Sequence, residues 1–172
     1  APNMDATISP RLMTKRGVNL TGQFRYLEPG YSGETYASYM PGDKLRDRDR
    51  CGYSWQHRTT FDTPVGGLGL NMNLNRVSDG DYWRDFRLAP VALRQRLLPS
   101  SANLSWAKGD GVLSLNVLRY QVQQDVTTPI APPYSMMPQL QYRYTPLDLP
   151  HGLDFTLVAD TTRFELIRPI AG

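Results

Sequence analysis

The chain has one cysteine, two histidines, almost no helical periodicity and no run of about 20 apolar residues. Each scarcity excludes something. A lone Cys51 rules out an internal disulfide framework and a cysteine-built zinc site. It reads as a small, semi-buried side chain. His57 and His151 form no nucleophilic constellation with Ser and Asp, and no G-x-S-x-G elbow is present. Without a long apolar run there is no transmembrane helix. A strand is then the one element left to cross a membrane. Ala1 to Asp5 has neither a basic start nor an apolar stretch, so no signal peptide is expected there. "GGLGLN" lacks the spacing of a nucleotide-binding loop. The formal charge of +3 is spread among acids, which argues against nucleic acid. Asp79, Asp81 and Asp85 in "DGDYWRD" fail the calcium-loop pattern and read as solvated loop carboxylates.

What is present is period two. In "VGGLGLNMNLN", Leu68, Leu70, Met72 and Leu74 alternate with Gly67, Gly69, Asn71, Asn73 and Asn75. Alternation this strict predicts a strand with two unlike faces. Similar stretches recur. "DATISPRLM" covers Asp5 to Met13. In "VNLTGQFRYL", Val18, Leu20, Phe24 and Tyr26 oppose Asn19, Thr21, Gln23 and Arg25. "GETYASYM", "CGYSWQHRTTF", "SANLSWAKG", "VLSLNVLRYQV", "QLQYRYTPL" and "LDFTLVADTTRF" complete nine expected strands. In the last, Leu153, Phe155 and Leu157 share the apolar face. In "VLSLNVLRYQV" the phase slips after Val117, which predicts a bulge there. The best helical candidate is Ala89 to Leu98, between Pro90 and Pro99.

The connections also alternate. "EPGYSG", "DTPVG", "KGDG" and "DLPHG" are short. "PGDKLRDRDR", the excursion after "SDGDYWRDF", and "QQDVTTPIAPPYSMMP" are long. "TKRG" breaks the rule. Short turns at one end and long loops at the other fit an outer-membrane β-barrel, with an apolar face to lipid and a polar face to a lumen. A soluble sandwich or lipocalin-like barrel shows the same alternation against a packed core. Both readings stand on the pattern.

The ordered set "APNMDATISPRLMTKRGVNLTGQFRYL", "YSG", "YMPGD", "RDR", "WQH", "RVSDGDYWRDF" and "PQLQYRYTPL" resembles the first part of the C-terminal barrel of the LptD (OstA/Imp) lipopolysaccharide-assembly family. The resemblance implies an all-β, antiparallel up-and-down meander within a large barrel in the cell outer membrane. Residues 1–172 would be about its first nine strands, with a periplasmic jellyroll and the remaining strands outside the chain. It implies lipopolysaccharide transport, with neither catalysis nor cofactor. The implied partners are lipopolysaccharide, an LptE-type plug lipoprotein and the periplasmic bridge that feeds the jellyroll. Cargo would leave sideways between the first and last strands. The family carries a proline near that gate, and Pro10 takes the role here. Proline offers no ladder N–H and belongs at sheet edges, so blunting an edge is the plainer account of Pro10. The family's conserved cysteines lie outside this segment, so Cys51 is not one of them.

Within the barrel reading Asn19, Thr21, Gln23, Arg25, Asn71, Asn73 and Asn75 face the lumen. Leu68, Leu70, Met72, Leu74, Leu153, Phe155 and Leu157 face lipid. Arg46, Arg48 and Arg50 lie in an extracellular loop, bridging lipopolysaccharide phosphates or pairing with neighbouring acids. Tyr26, Tyr36, Tyr39, Tyr53, Trp55 and Trp106 supply interfacial aromatics. His57 reads as structural or lumen-facing, and His151 falls in a tight turn. Other outer-membrane barrels, such as a porin or usher piece, and a soluble ligand-binding or hydrolytic β-protein are the competing functions.

Overall fold

The computed structural model describes residues 3–166 except 126, 148, 151 and 152. His151 lies outside the described residues. Three two-residue turns set most of the register: Pro29 with Gly30, Pro64 with Val65, and Gly109 with Asp110. Gly109 has φ +55°, in the left-handed region that glycine enters without strain. Gly66 has φ +137°, and a Cβ there would lie 2.5 Å from the Ala107 carbonyl oxygen.

Among the described residues nine strands follow one another: β1 (Met4–Met13), β2 (Gly17–Glu28), β3 (Tyr31–Asp43), β4 (Arg48–Thr63), β5 (Gly66–Val77), β6 (Leu97–Lys108), β7 (Gly111–Val122), β8 (Tyr134–Tyr144) and β9 (Leu157–Leu166). They form a single sheet in sequence order, and each pairs antiparallel with the next. Residues directly opposite share a face, so the ladders sort every side chain. Asp5, Arg25, Glu34, Gln56, Asn73 and Ser101 stand in one cross-strand row. Ile8, Leu20, Tyr39, Cys51, Leu70, Leu104 and Leu115 stand on the opposite face. Along the middle of β1 to β8 one face is polar and the other apolar. Arg76 and Arg119 stand on the apolar side near the strand ends. β9 mixes the two, with Arg163 and Glu165 on the apolar side and Val158, Phe164 and Leu166 on the polar one.

The structure corrects several expectations. The bulge is not on β7, which pairs with β6 without interruption. The extra residue is on β8, between Met136 and Gln139, opposite the step from Asn116 to Leu118. Leu118, Tyr120 and Val122 therefore stay on the polar face. The charged stretch after Met40 is no long loop. β3 runs to Asp43 and β4 starts at Arg48, leaving four residues between them. Ala89 to Leu98 holds only a 3-10 turn, Val91–Arg94, before β6 begins at Leu97. β9 begins at Leu157, so Leu153 and Phe155 precede it. Cys51 is exposed rather than semi-buried.

The short-turn end and the long-connection end differ in how they are finished. Residues 78–96, between β5 and β6, contain one helical turn, α1 (Tyr82–Asp85), and the 3-10 turn. This strap folds back over the polar face. Tyr82, Phe86, Ala89 and Leu93 are buried against Met40 on β3, Val77 on β5 and Leu98 on β6. It is the one apolar core among the described residues, and it lies at the long-connection end.

Candidate functional site

The polar face is concave and uncharged at its centre. Asn71, Asn103, Asn116, Gln139 and Thr162 stand opposite one another on β5 to β9. Asn103 Nδ2 donates to Asn116 Oδ1 at 2.6 Å. Asn116 Nδ2 donates to Gln139 Oε1 at 3.2 Å, and Gln139 Nε2 to Asp160 Oδ2 at 2.7 Å. On the other side Arg58 Nε donates to Asn71 Oδ1 at 3.1 Å. The result is an amide belt around a hollow of about 960 Å³, lined also by Arg25, Glu34, Gln56 and Ser101. Amides both donate and accept without carrying charge. Such a wall offers hydrogen bonds to a polar, hydroxyl-rich molecule moving past it, with the charges of Arg25, Glu34, Arg58 and Asp160 on its flanks.

The strap closes the long-connection end of this face, and Arg50 holds it. Arg50 is 1 % exposed. Its Nε and Nη2 donate to the two Asp79 carboxylate oxygens at 2.8 and 2.7 Å, a bidentate fork. Its Nη1 reaches Asp85 Oδ2 at 2.6 Å and Asp43 Oδ2 at 3.2 Å. Arg16, in the β1–β2 turn, reaches Asp43 at 2.6 Å and Asp85 at 2.7 Å. Arg46 pairs with Asp81 and Asp85, and Arg48 with Asp79. Four arginines meet four aspartates, so the cluster is electrically balanced. The guanidinium carbon of Arg50 also stands 4.8 Å from the Phe86 ring centroid.

Burial pushes the carboxyls of Asp79 and Asp85 up, but the opposing arginines win. The hydrogen bonds from Arg50 and Ser78 hold Asp79 below its ordinary value. Arg50, Arg16 and Arg46 do the same for Asp85. Burial raises the Tyr82 hydroxyl, which shares a 2.5 Å hydrogen bond with Ser38. The Tyr82 ring lies on Gly52, where a Cβ would be 2.7 Å from it. The strap's other margin is tied to the β7–β8 connection. Gln123 donates to the carbonyls of Leu93 and Gln95 at 2.9 and 2.7 Å, and accepts from the Trp83 N–H at 2.9 Å. Arg84 pairs with Asp125. The N–H and hydroxyl of Thr127, with Arg84, lower the Asp125 carboxyl to about 2.

The sequence candidates divide cleanly. Asn19, Thr21, Gln23, Arg25, Asn71, Asn73 and Asn75 all stand on the polar face. Leu68, Leu70, Met72, Leu74 and Leu157 stand on the apolar face, while Leu153 and Phe155 are exposed ahead of β9. Arg46 alone lies in the β3–β4 turn. Arg48 and Arg50 are strand residues, and all three engage the strap's acids. Asp79, Asp81 and Asp85 are therefore ion-paired, not freely solvated. Tyr26, Tyr39, Tyr53, Trp55 and Trp106 share the apolar face, but Tyr36 is on the polar one, against the core. His57 is on the apolar face, its Nδ1 2.6 Å from the Tyr26 hydroxyl. Pro10 sits mid-ladder opposite Leu20, on a strand with one neighbour among the described residues.

Sequence reasoning did not single out Arg16, Asp43, Gln123, Asn103, Asn116 or Gln139. Counting back from the turn at Gly109 and Asp110 puts Asn103 opposite Asn116, so that part of the belt had a signal. Arg16, Asp43 and Gln123 had none.

Known proteins are similar to this chain over its whole length. The LPS-assembly protein LptD of Acidovorax sp. (strain JS42) is 54 % identical over 179 residues, and that of Polaromonas sp. is 49 % identical over 180, each covering all of this chain. The LPS-assembly protein LptD of Chromobacterium violaceum is 38 % identical over 96 % of the chain. The chain spans 21 to 22 % of the length of these relatives. A family model described as LptD, LPS transport system D, matches residues 48–167, which include the arginine hub, its strap and the amide belt. With a polar wall, an apolar back and relatives this similar over its full length, the chain belongs to the LptD family.

Proposed function

We propose that this chain forms part of the wall of an outer-membrane translocon that moves lipopolysaccharide into the outer leaflet. The apolar face meets lipid, the polar face lines the lumen, and the long connections lie outside the cell. The observation that carries this reading is the sorting of polar and apolar side chains along the middle of β1 to β8. The apolar face is uncovered: Ile8 is 73 % exposed, Leu12 75 % and Leu104 46 %. No second sheet covers it among the described residues, as a soluble sandwich would require. Lipid supplies that cover.

The amide belt suits a saccharide that slides past, since its hydrogen bonds are many and neutral. The work is transport, which needs no catalytic group and no cofactor. Cargo would enter from a periplasmic bridge through a jellyroll and would share the lumen with an LptE-type plug lipoprotein. The Leu27 N–H bond to the Asn3 carbonyl puts the hydrogen-bonded pairs at the odd residues of β1, so Pro10 removes a donor from the open edge and not from the β2 side. β1 is the strand we assign to the lateral gate.

The test uses the full-length protein in its native membrane, with a photoreactive residue at Pro10, Asn103 or Leu104 in turn. Lipopolysaccharide should crosslink at Pro10 and Asn103 only while cargo is being delivered. Leu104 should crosslink membrane lipid whether or not delivery is running. Supply-independent lipid at Asn103, with none at Leu104, would invert the faces and end the proposal.

A further inference from the structure

Arg76 and Arg119 differ from the arginines of the strap. Neither makes an ion pair or a side-chain hydrogen bond among the described residues, and both are exposed. Both stand on the apolar face. Arg76 continues the row of Leu70, Met72 and Leu74 on β5 and is opposite Tyr53. Arg119 continues the row of Leu113, Leu115 and Val117 on β7 and is opposite Ser100. A single strand, β6, lies between theirs. Both lie near the long-connection ends of their strands.

The sheet opens between them. Pairing of β5 with β6 stops at Asn73 and Ser101. Beyond that point the Gln121 side chain takes over as a ladder partner. It accepts from the Val77 N–H at 3.0 Å and donates to the Val77 carbonyl at 2.7 Å. A cleft of about 540 Å³ results, lined by Arg76, Arg119, Tyr53, Ser100 and Gln124, and by Asp79, whose carboxylate is neutralised by Arg50 and Arg48. Below it lies uncharged surface, with Leu104 and Leu115 exposed.

We infer that this cleft binds the phosphorylated sugar headgroup of a membrane lipid whose acyl chains run down the apolar face. Two unpaired guanidiniums beside an apolar wall are complementary to an anionic amphiphile, and guanidinium forks fit phosphate oxygens. The cleft is larger than a bare phosphate needs. The Tyr53 hydroxyl supplies a partner for a sugar hydroxyl, while Ser100 and Gln124 are held by the backbones of Asn75 and Ile130 and shape the wall. The position at the strand ends is where a headgroup would sit if the apolar face meets lipid. The inference rests on that part of the proposed function, but it concerns the outside of the wall, away from both lumen and gate.

The test is native mass spectrometry of the full-length protein from its membrane, in detergent with added bisphosphorylated lipid A, fully dephosphorylated lipid A or phosphatidylglycerol. The wild type should retain bisphosphorylated lipid A about tenfold better than either other lipid, because two charge-assisted contacts depend on the phosphorylated headgroup. That comparison needs no variant. R76Q/R119Q should lose about the same factor, whereas R143Q, on the polar face, should retain lipid as the wild type does. Equal retention of all three lipids, or of lipid A by R76Q/R119Q, would overturn the site. A photoreactive residue at Leu104 separates the two levels of failure. If it crosslinks lipid while retention does not depend on Arg76 and Arg119, only the headgroup site falls. If it captures no lipid, the membrane assignment of the face falls, and the site falls with it.

Discussion

Arg50 carries more structure than any other side chain in the molecule. It is buried at the end of β4, and three carboxylates from two segments converge on it. Replacing Arg50 by Leu strands Asp79, Asp85 and Asp43 with fewer cations than they need. Removing one partner of a buried ion pair costs about 3–5 kcal/mol. The strap then keeps its small apolar core, Gln123, the Arg84–Asp125 pair and the more exposed ion pairs of Arg16, Arg46 and Arg48. In the full-length membrane-assembled protein, R50L should make the bonds after Arg84 and Arg87 cut by trypsin many times faster than in wild type. Unchanged cutting would mean the remaining contacts hold the strap without Arg50. Gly52 is the complementary case. A methyl there meets the Tyr82 ring at 2.7 Å, so G52A must shift Tyr82 and break its bond to Ser38. Overpacking of this kind costs about 1–3 kcal/mol. G52A should loosen the strap less than R50L does, with the same trypsin assay ranking the two.

At the scale of elements, the sheet was legible because each strand pairs with its sequence neighbour. Two-residue turns fix the register, and a period of two then fixes the faces. Leu68 to Leu74 and Asn71 to Asn75 needed nothing more. The strap was not legible. "DKLRDRDR" has the composition of a solvated loop, and only the fold brings Arg50 under Asp79 and Asp85. The β8 bulge was misplaced for a similar reason. The apolar run Leu118, Tyr120, Val122 looks like a change of face, yet these residues stay on the polar side and the extra residue belongs to β8.

The strap's docking has a pH dependence of known sign. Asp79 and Asp85 have lowered values when docked. Released, they return to about 3.9. Groups lowered in this way stabilise the docked state above the released value, and the contribution vanishes as pH falls through the docked value. Docking should therefore be constant from neutral pH to about pH 5 and weaken progressively below about pH 4. Trp83 reports it, since it lies 5.2 Å from Arg84 and 6.0 Å from Arg96. In a full-length variant with Trp55 and Trp106 replaced by Phe, and any tryptophan outside this chain removed, emission should shift to the red only in acid. A transition near pH 6 would place the switch elsewhere.

The molecule as a whole hides little apolar surface. Among the described residues the one core sits under the strap, while Ile8, Leu12, Leu20, Phe24, Leu104, Leu115 and Leu140 are exposed along a continuous face. Soluble monomers rarely expose apolar patches above a few hundred Å². β1 and β9 each have one neighbour among the described residues, which leaves two edges able to pair with another chain. Both features point the same way. In a membrane, lipid covers the face and further strands cover the edges. In plain buffer neither cover exists, and association is the remaining way to bury them. The 172-residue chain produced alone should sediment as large aggregates in buffer and disperse when a mild detergent is added. Sedimentation velocity distinguishes the outcomes directly. A single slow species of monomer mass without detergent would mean that some protein surface covers the apolar face, and the membrane assignment would have to be abandoned. Aggregation that detergent does not reverse would trace to the strand edges instead, because detergent shields an apolar face but leaves open backbone donors and acceptors unpaired.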